Sequence, residues 1–329
     1  MQLPQFEQLT TGCLGRIFDK TVATYKYFWF LSLMQEHART GNLRMDVWEL
    51  VIRMVANAWY PIHYFRLSFG KSDSLFEIVT ELQKETNLPI DASQKIIIEE
   101  LRGRLGEPTI RSRLRVLTLN VPYRFLRPWI DTSDDREMIR RSQTLENSCL
   151  YALYKDRSSF YIELNPSWDS YLHAHYGILV DFTYWNLTQF LQVRNPNVPA
   201  ISNKLIKPET RTPLTAQHRY WNTVMQIVGP IECIYTGRQL HTGEYELDHF
   251  IPWSFVSHDL LWNLVPADGS VNSSKSDRLP DLERYLPKMA HLQYHALQTY
   301  LKAGRDSRIL EDYLSSVSYT HLRAHETVL

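Results

Sequence analysis

The chain is poor in cysteine. Cys13, Cys149 and Cys233 are the only three among 329 residues, widely spaced and odd in number. That excludes a disulfide framework and a four-thiolate zinc site. Long hydrophobic runs are also missing. No stretch of 18 apolar residues occurs, and the most apolar early stretch, 27–34, gives way to Glu36, His37 and Arg39. It is too short to span a bilayer, and it lacks the basic start and small-residue cleavage site of a signal peptide. These absences predict a soluble, cytoplasmic protein with no membrane partner. Net charge is absent as well, since 36 Lys and Arg balance 36 Asp and Glu. A histone-like, wholly basic binder is thereby excluded. A local basic surface is not, because a polyanion feels the field near its site rather than the sum. No internal repeat or low-complexity tract is visible.

What remains is the composition of a globular chain. With 44% hydrophobic and 22% charged residues, wholesale disorder is excluded. At roughly 150 residues per domain the length predicts two domains. Apolar positions at helical spacing predict a helix over 18–40, stopped at Gly41, and a second over 45–65, kinked near Pro61. A third is predicted over 74–86, with Ser74 as N-cap and Glu77 three residues on. A fourth runs over 91–105, opened by Asp91. Residues 111–119, bracketed by Pro108 and Pro122, read as helix or strand. Two β-rich runs around the polar turn 155–159 predict a hairpin within 149–164, and 167–193 returns to helix. Residues 194–213 hold four prolines and few periodic apolar positions, as a linker does. The expected organisation is a mainly helical domain over 1–200, a smaller domain over 201–305 and a tail over 306–329.

The chemistry concentrates after Cys233. Leu247-Asp248-His249-Phe250-Ile251-Pro252 sets an acid beside a histidine, with an apolar exit to proline. Asn263 follows fourteen residues after His249, Asn272 nine further on, and Lys275 three after that. An isolated Asp-His pair is ordinarily a capped turn or a surface histidine. Two asparagines at fixed spacing behind it reverse that expectation.

This pattern resembles the HNH, or ββα-metal, nucleases, and most of all the HNH nuclease domain of the type II CRISPR effector. The shared features are Asp248-His249-x-x-Pro252, Ser254-Phe255, the central Asn263, and Asn272-x-x-Lys275-Ser276-Asp277 ending at Pro280. The resemblance covers about 50 residues, the stretch that runs to Pro280. It implies a small ββα-metal (HNH) nuclease domain; with the helices and β-hairpin read before it, the expectation is an α+β protein whose helical N-terminal domain with a β-hairpin precedes that domain. It implies an endonuclease hydrolysing phosphodiester bonds in nucleic acid, DNA first. In the family the histidine is the general base, and the flanking acid with the distal asparagine holds one divalent metal. Carried over, His249 is the base, Asp248 and Asn272 hold the metal, Asn263 braces the strand-to-helix loop, and Lys275 is placed to reach a phosphate.

Those residue types suit the reaction. Phosphodiester hydrolysis needs an activated water and a sink for charge, and one divalent cation supplies the sink. Mg²⁺, with Mn²⁺ as the alternative, takes hard oxygen ligands and needs only one or two from protein. Histidine as a residue type titrates near neutrality, as a base for water must. The chain departs from the family where other members carry Cys-x-x-Cys zinc knuckles. Cys233-Ile-Tyr-Thr236 has one cysteine and no second pair, so no structural zinc is expected, and Tyr235, Phe250, Trp253 and Trp262 are expected to hold the fold by packing. Cys233–Gly237 reads as the first strand and turn of the unit. Glu246 is a candidate extra acid, read first as a solvent-facing strand residue. The rival reading is a non-cleaving nucleic-acid-binding module, or an interaction protein, that retains the ββα fold.

The window 102–141 holds ten arginines and no lysine against five acids, with Tyr123, Phe125 and Trp129 interleaved. Arginine forks bind phosphate and stack on bases, so Arg111, Arg113, Arg115, Arg124 and Arg127 are candidates for nucleic-acid contact; the bland alternative is a set of solvated helix faces. A protein partner or a homodimer is also expected, since a single HNH site cuts one strand per event. His291 and His295 stand four apart on an expected helix over 287–301, a metal-capable spacing without the glutamate of a zincin motif, and read as packing or surface residues. Residues 317–329 resemble library-adapter read-through that recurs on unrelated chains. They are expected to be non-native, their two histidines without function.

Overall fold

A computed structural model describes residues 3–6, 9–157, 159–208, 212–305 and 311–314. The suspected adapter tail, 317–329, lies outside the described residues, as do all of the residues after 314. The chain divides into two compact units, Met1–Lys207 and Pro208–Leu329. No helix among the described residues is long and apolar enough to cross a membrane.

The first unit is mainly helical. Its helices are α1 (Thr11–Gly15), α2 (Tyr25–Thr40), α3 (Val47–His63), α4 (Ser74–Thr86), α5 (Gln94–Gly103), α6 (Pro108–Thr118), α7 (Val121–Arg124), α8 (Asp135–Gln143), α9 (Pro166–Ala174) and α10 (Tyr176–Arg194). Strands β1 (Arg44–Asp46), β2 (Tyr151–Lys155) and β3 (Phe160–Leu164) form one antiparallel sheet in the order β1-β3-β2. The expected hairpin is β2–β3, in register from Tyr151↔Leu164 to Lys155↔Phe160. α2 and α3 make the centre, with Trp29, Phe30, Val51, Met54 and Trp59 fully buried.

Local chemistry sets the ends of these helices and corrects several expectations. α2 begins at Tyr25 rather than near residue 18, because Lys20 takes a left-handed φ of 53° and Thr21 turns back to bond the Phe18 carbonyl. The N-cap of α4 is Asp73, not Ser74; its buried carboxylate accepts from Leu75 N at 3.0 Å and from Thr24 N at 2.6 Å. α5 starts at Gln94 behind Ser93, three residues later than expected from Asp91. Residues 111–119 resolve as helix, with Pro108 at its first turn, where a missing N–H costs nothing. The helix expected over 167–193 is two helices broken at His175. The first part of the expected linker packs with the first unit: Ile201, Lys204 and Leu205 are buried.

The second unit contains α11 (Thr215–Val228), β4 (Ile231–Glu232), β5 (Gln239–Leu240), β6 (Glu246–His249), α12 (Trp253–Val256), β7 (Leu264–Ala267), α13 (Gly269–Lys275), α14 (Leu282–Lys302) and α15 (Glu311–Leu314). β4 pairs with β5, and β6 pairs with β7, both antiparallel. Thus Cys233–Gly237 is the turn of a separate β4–β5 hairpin. The strand bonded to the Asp-His strand is β7, formed directly after Asn263. Its register runs from Glu246↔Ala267 to His249↔Leu264. The core joins Trp221 and Val224 of α11 to Leu247, Leu264, Ala267 and Ala296. A second cluster, Ile234, Phe250, Val265 and Met289, with Tyr235 and Trp262 packed on it, lies beneath the strand ends. Gln293 of α14 ties both layers by donating to the carbonyls of Leu261 and Leu264 at 2.9 and 2.8 Å.

Candidate active site

Strand periodicity sorts the motif. Residues two apart share a face, so Glu246 and Asp248 point one way and Leu247, in the core, the other. α13 lies over the acidic face. Its N-cap is Asp268, which accepts from Ser270 N at 3.0 Å and is held by Arg238 at 2.9 Å. Hydrogen bonds to Ser270, and then Arg238, keep the Asp268 carboxyl below the usual carboxylate range. From this helix Asn272 and Lys275, three apart and so neighbours on one side, reach β6.

Two contacts form the seam. Asn272 Nδ2 donates to Glu246 Oε2 at 2.8 Å. Lys275 Nζ donates to Asp248 Oδ1 at 3.0 Å and to the His249 carbonyl at 2.6 Å. The second contact is desolvated: Asp248 is 3% exposed and the Lys275 side chain 7%. The other Asp248 oxygen accepts the Tyr235 hydroxyl at 2.6 Å. Burial and the Asp248 charge both push the Tyr235 phenol far above its ordinary range, so it remains a donor. A Cβ at position 269 would come within 3.1 Å of Glu246 Oε1, so Gly269 leaves room for that carboxylate.

His249 ends β6. Its Nε2 lies 2.8 Å from Asp259 Oδ1, in the 250–263 loop. An ionised carboxylate can only accept, so Nε2 is the donor in this pair, and the tautomer that keeps the bond has its lone pair on Nδ1. Asn263 is fully buried and spends its side chain on one neighbour, accepting from Ile251 N and donating to Ile251 O, both at 2.8 Å. Its own carbonyl accepts from Phe250 N at 2.8 Å. These three bonds lock the residues after His249 to the start of β7.

The fold therefore brings Asp248 and Lys275 together, and Asn272 beside them on the same seam. It gives the His249 ring a different partner, Asp259, and sets Asn263 behind the loop. Lys275 is turned inward to Asp248 and does not extend into solvent. Sequence reading gives Tyr235 a packing role alone, leaves Glu246 between an extra acid and a solvated residue, and does not single out Asp259. The period-two relation of Glu246 to Asp248 was a usable signal; nothing local marked Asp259, ten residues from its partner. Among the described residues, no three His, Cys, Asp or Glu side chains gather as a metal cluster. The oxygen donors on the seam are two carboxylates and an amide.

The basic window of the first unit divides by pairing. Arg102 is bound to Glu49, Arg104 to Glu107 and Glu100, Arg113 to Glu81 and Glu85, Arg140 to Glu137, and Arg141 to Glu146. Arg113, expected at a nucleic-acid surface, is thus committed to α4. Arg111 lies over the Trp48 ring at 4.5 Å. Among the described residues, Arg111, Arg115, Arg124, Arg127 and Arg136 have no carboxylate within ion-pair distance. His291 and His295 stack edge to face on α14, ring centres 4.2 Å apart.

Residues 233–281 match the family model of an HNH endonuclease. No curated protein matches the chain, and no solved structure does. The matched segment spans the β4–β5 turn, β6, the loop, β7 and α13, so it contains every residue of the seam. It supports a nuclease that acts on nucleic acid.

Proposed function

We propose that the second unit is a metal-dependent ββα endonuclease that hydrolyses phosphodiester bonds, DNA first, leaving a 5′-phosphate and a 3′-hydroxyl. The observation that carries this reading is the seam itself. A buried carboxylate, Asp248, is held against a cation, beside an amide oxygen and a second carboxylate, within the segment that matches the HNH family. Hard oxygen donors of this kind fit Mg²⁺ or Mn²⁺, and the Lys275 ammonium stands where positive charge is demanded. Asp248 and Asn272 would hold the metal. When bound, it supplies a sink for charge on the phosphate and the leaving oxygen.

The chain's own residues do the rest. His249 Nδ1 takes a proton from the attacking water, while Asp259 holds the ring and stabilises the imidazolium that forms. Glu246 can only accept, so it fixes the Asn272 amide with Nδ2 toward itself, which leaves Oδ1 as the atom that would serve a metal. Asn263 is a positioning residue, keeping the loop after His249 in one shape. Lys275, once released from Asp248, is free to pair with a phosphate oxygen. One such site cuts one strand; a double-strand break requires a dimer or two successive nicks.

One observation favours the non-cutting alternative: Asp248 and Asn272 are both satisfied by the protein's own groups. Plasmid nicking separates the two. Supercoiled DNA is incubated with the protein and Mg²⁺ or Mn²⁺, with single-stranded DNA and RNA in parallel. Wild type nicks and His249→Ala does not. Equal activity in both would refute the base, and none in wild type with any substrate would leave the non-cutting module.

A further inference from the structure

The first unit holds a cleft of about 390 Å³ between the 20–26 segment and α6–α7. Its rim carries Lys20, Lys26, Arg124 and Arg127, its floor includes Leu117 and Val121, and no Asp or Glu lines it. None of the four cations has a carboxylate within ion-pair distance among the described residues. Half of the arginines in this basic window are neutralised by glutamates, so the gap in pairing here is selective.

Two of these cations, Lys26 and Arg127, lie close enough to repel. Lys26 bonds only the Ile17 carbonyl, at 2.9 Å. Burial first, and then the charge of Arg127, lower its pKa, with Asp19 a small opposing influence. At the outer end Asp134 and Asp135 approach Arg124 and Arg127, but Asp134 is spent capping α8, accepting from Glu137 N at 2.9 Å. Four like charges around an apolar floor cost free energy unless an anion joins them. Arginine forks match phosphate oxygens, and an apolar floor accepts a sugar or base. A volume at the small end of ligand sites has room for one nucleotide and none for the width of a duplex.

We propose that this cleft binds one nucleotide of a single-stranded nucleic acid, its phosphates gripped by Lys20, Lys26, Arg124 and Arg127. The choice of nucleic acid over another polyanion rests on the nuclease reading above; the charge and shape of the cleft do not. Binding is read in EDTA, where nothing is cut, so each reading can fail alone.

The test is fluorescence anisotropy of the full-length protein in EDTA, with a labelled single strand and a labelled duplex. The Arg124→Ala/Arg127→Ala variant is compared with Arg102→Ala/Arg140→Ala, which removes equal charge from paired, exposed arginines. The cleft variant should bind the single strand about tenfold or more weakly, and the slope of log K against log salt should fall by about 1.4, or 0.7 per phosphate. The paired-arginine variant should stay near wild type, and the duplex should bind more weakly than the single strand. Equal losses in the two variants would reduce the effect to net charge and overturn the site. So would an unchanged cleft variant. Competition by free AMP at the same phosphate concentration as the strand would assign the cleft to a free nucleotide and overturn the strand.

Discussion

Lys275→Met isolates the central pair. In wild type the ammonium neutralises Asp248 and satisfies the His249 carbonyl, with both charged side chains nearly out of solvent. Methionine fills similar volume but removes the charge. Asp248 is then left buried with one hydroxyl donor, Tyr235. Breaking a buried pair by removing one partner costs about 3–5 kcal/mol, because the other charge stays behind. Domains hold only about 5–15 kcal/mol in all, so the second unit should melt about 10–15 °C lower in EDTA. A divalent cation would answer the same carboxylate without competing with an ammonium. Adding Mg²⁺ or Mn²⁺ should therefore raise the melting temperature more in Lys275→Met than in wild type, by the linkage of ligand binding to stability. The double variant Asp248→Asn/Lys275→Met should be more stable than the single one and indifferent to metal. Scanning calorimetry reads all three. A single variant within about 2 °C of wild type in EDTA would show that the pair is worth no more than a surface ion pair and refute the argument. An equal metal-induced gain in wild type and variant would place the metal elsewhere.

Other outcomes follow from the same geometry. Asp259→Asn should keep the fold but slow nicking about 100-fold or more, since an amide can hold the wrong tautomer of His249; an unchanged rate would remove Asp259 from the mechanism. Asn263→Ala should destabilise the second unit by about 2–4 kcal/mol in urea, because both backbone groups of Ile251 lose their partner, and a loss below about 1 kcal/mol would contradict the bracing role. Lys204 is fully buried, donates to the Pro199 carbonyl and lies 5.6 Å from the Phe65 ring centre. Burial lowers its pKa to about 8. Between that value and its ordinary 10.5 the unfolded chain binds more protons, so wild-type stability should rise with pH across this window relative to Lys204→Met. Paired thermal melts at pH 7.5 and 10 would show the difference, and a constant gap would refute it.

Elements with strong local signals were legible from sequence. The α4 span, the β2–β3 hairpin and the Asp-His…Asn…Asn spacing all rest on interactions within a few residues or on a fixed order. The boundaries that failed depend on distant partners. Asp73 outcompetes Ser74 as a cap because its second oxygen answers Thr24, 49 residues away. The strand partner of the Asp-His motif was misread because β7 follows a long loop, and only the closure of that loop by Asn263 brings it alongside β6.

Sequence alone determined the residue types and their order: hard oxygens, one histidine and one lysine at spacings that match the HNH endonucleases. Their chemistry follows from side-chain identity and needs no fold to be named. Which groups meet was decided only by tertiary structure. Period two in β6 and the neighbouring turns of α13 fix the pairs Glu246–Asn272 and Asp248–Lys275, while the loop brings Asp259 to His249. In the basic window, composition counts ten arginines alike, and only packing against glutamates of α4, α8 and their neighbours separates the neutralised from the free. Charge pairing falls steeply with distance, so it is a property of the folded surface and not of the count.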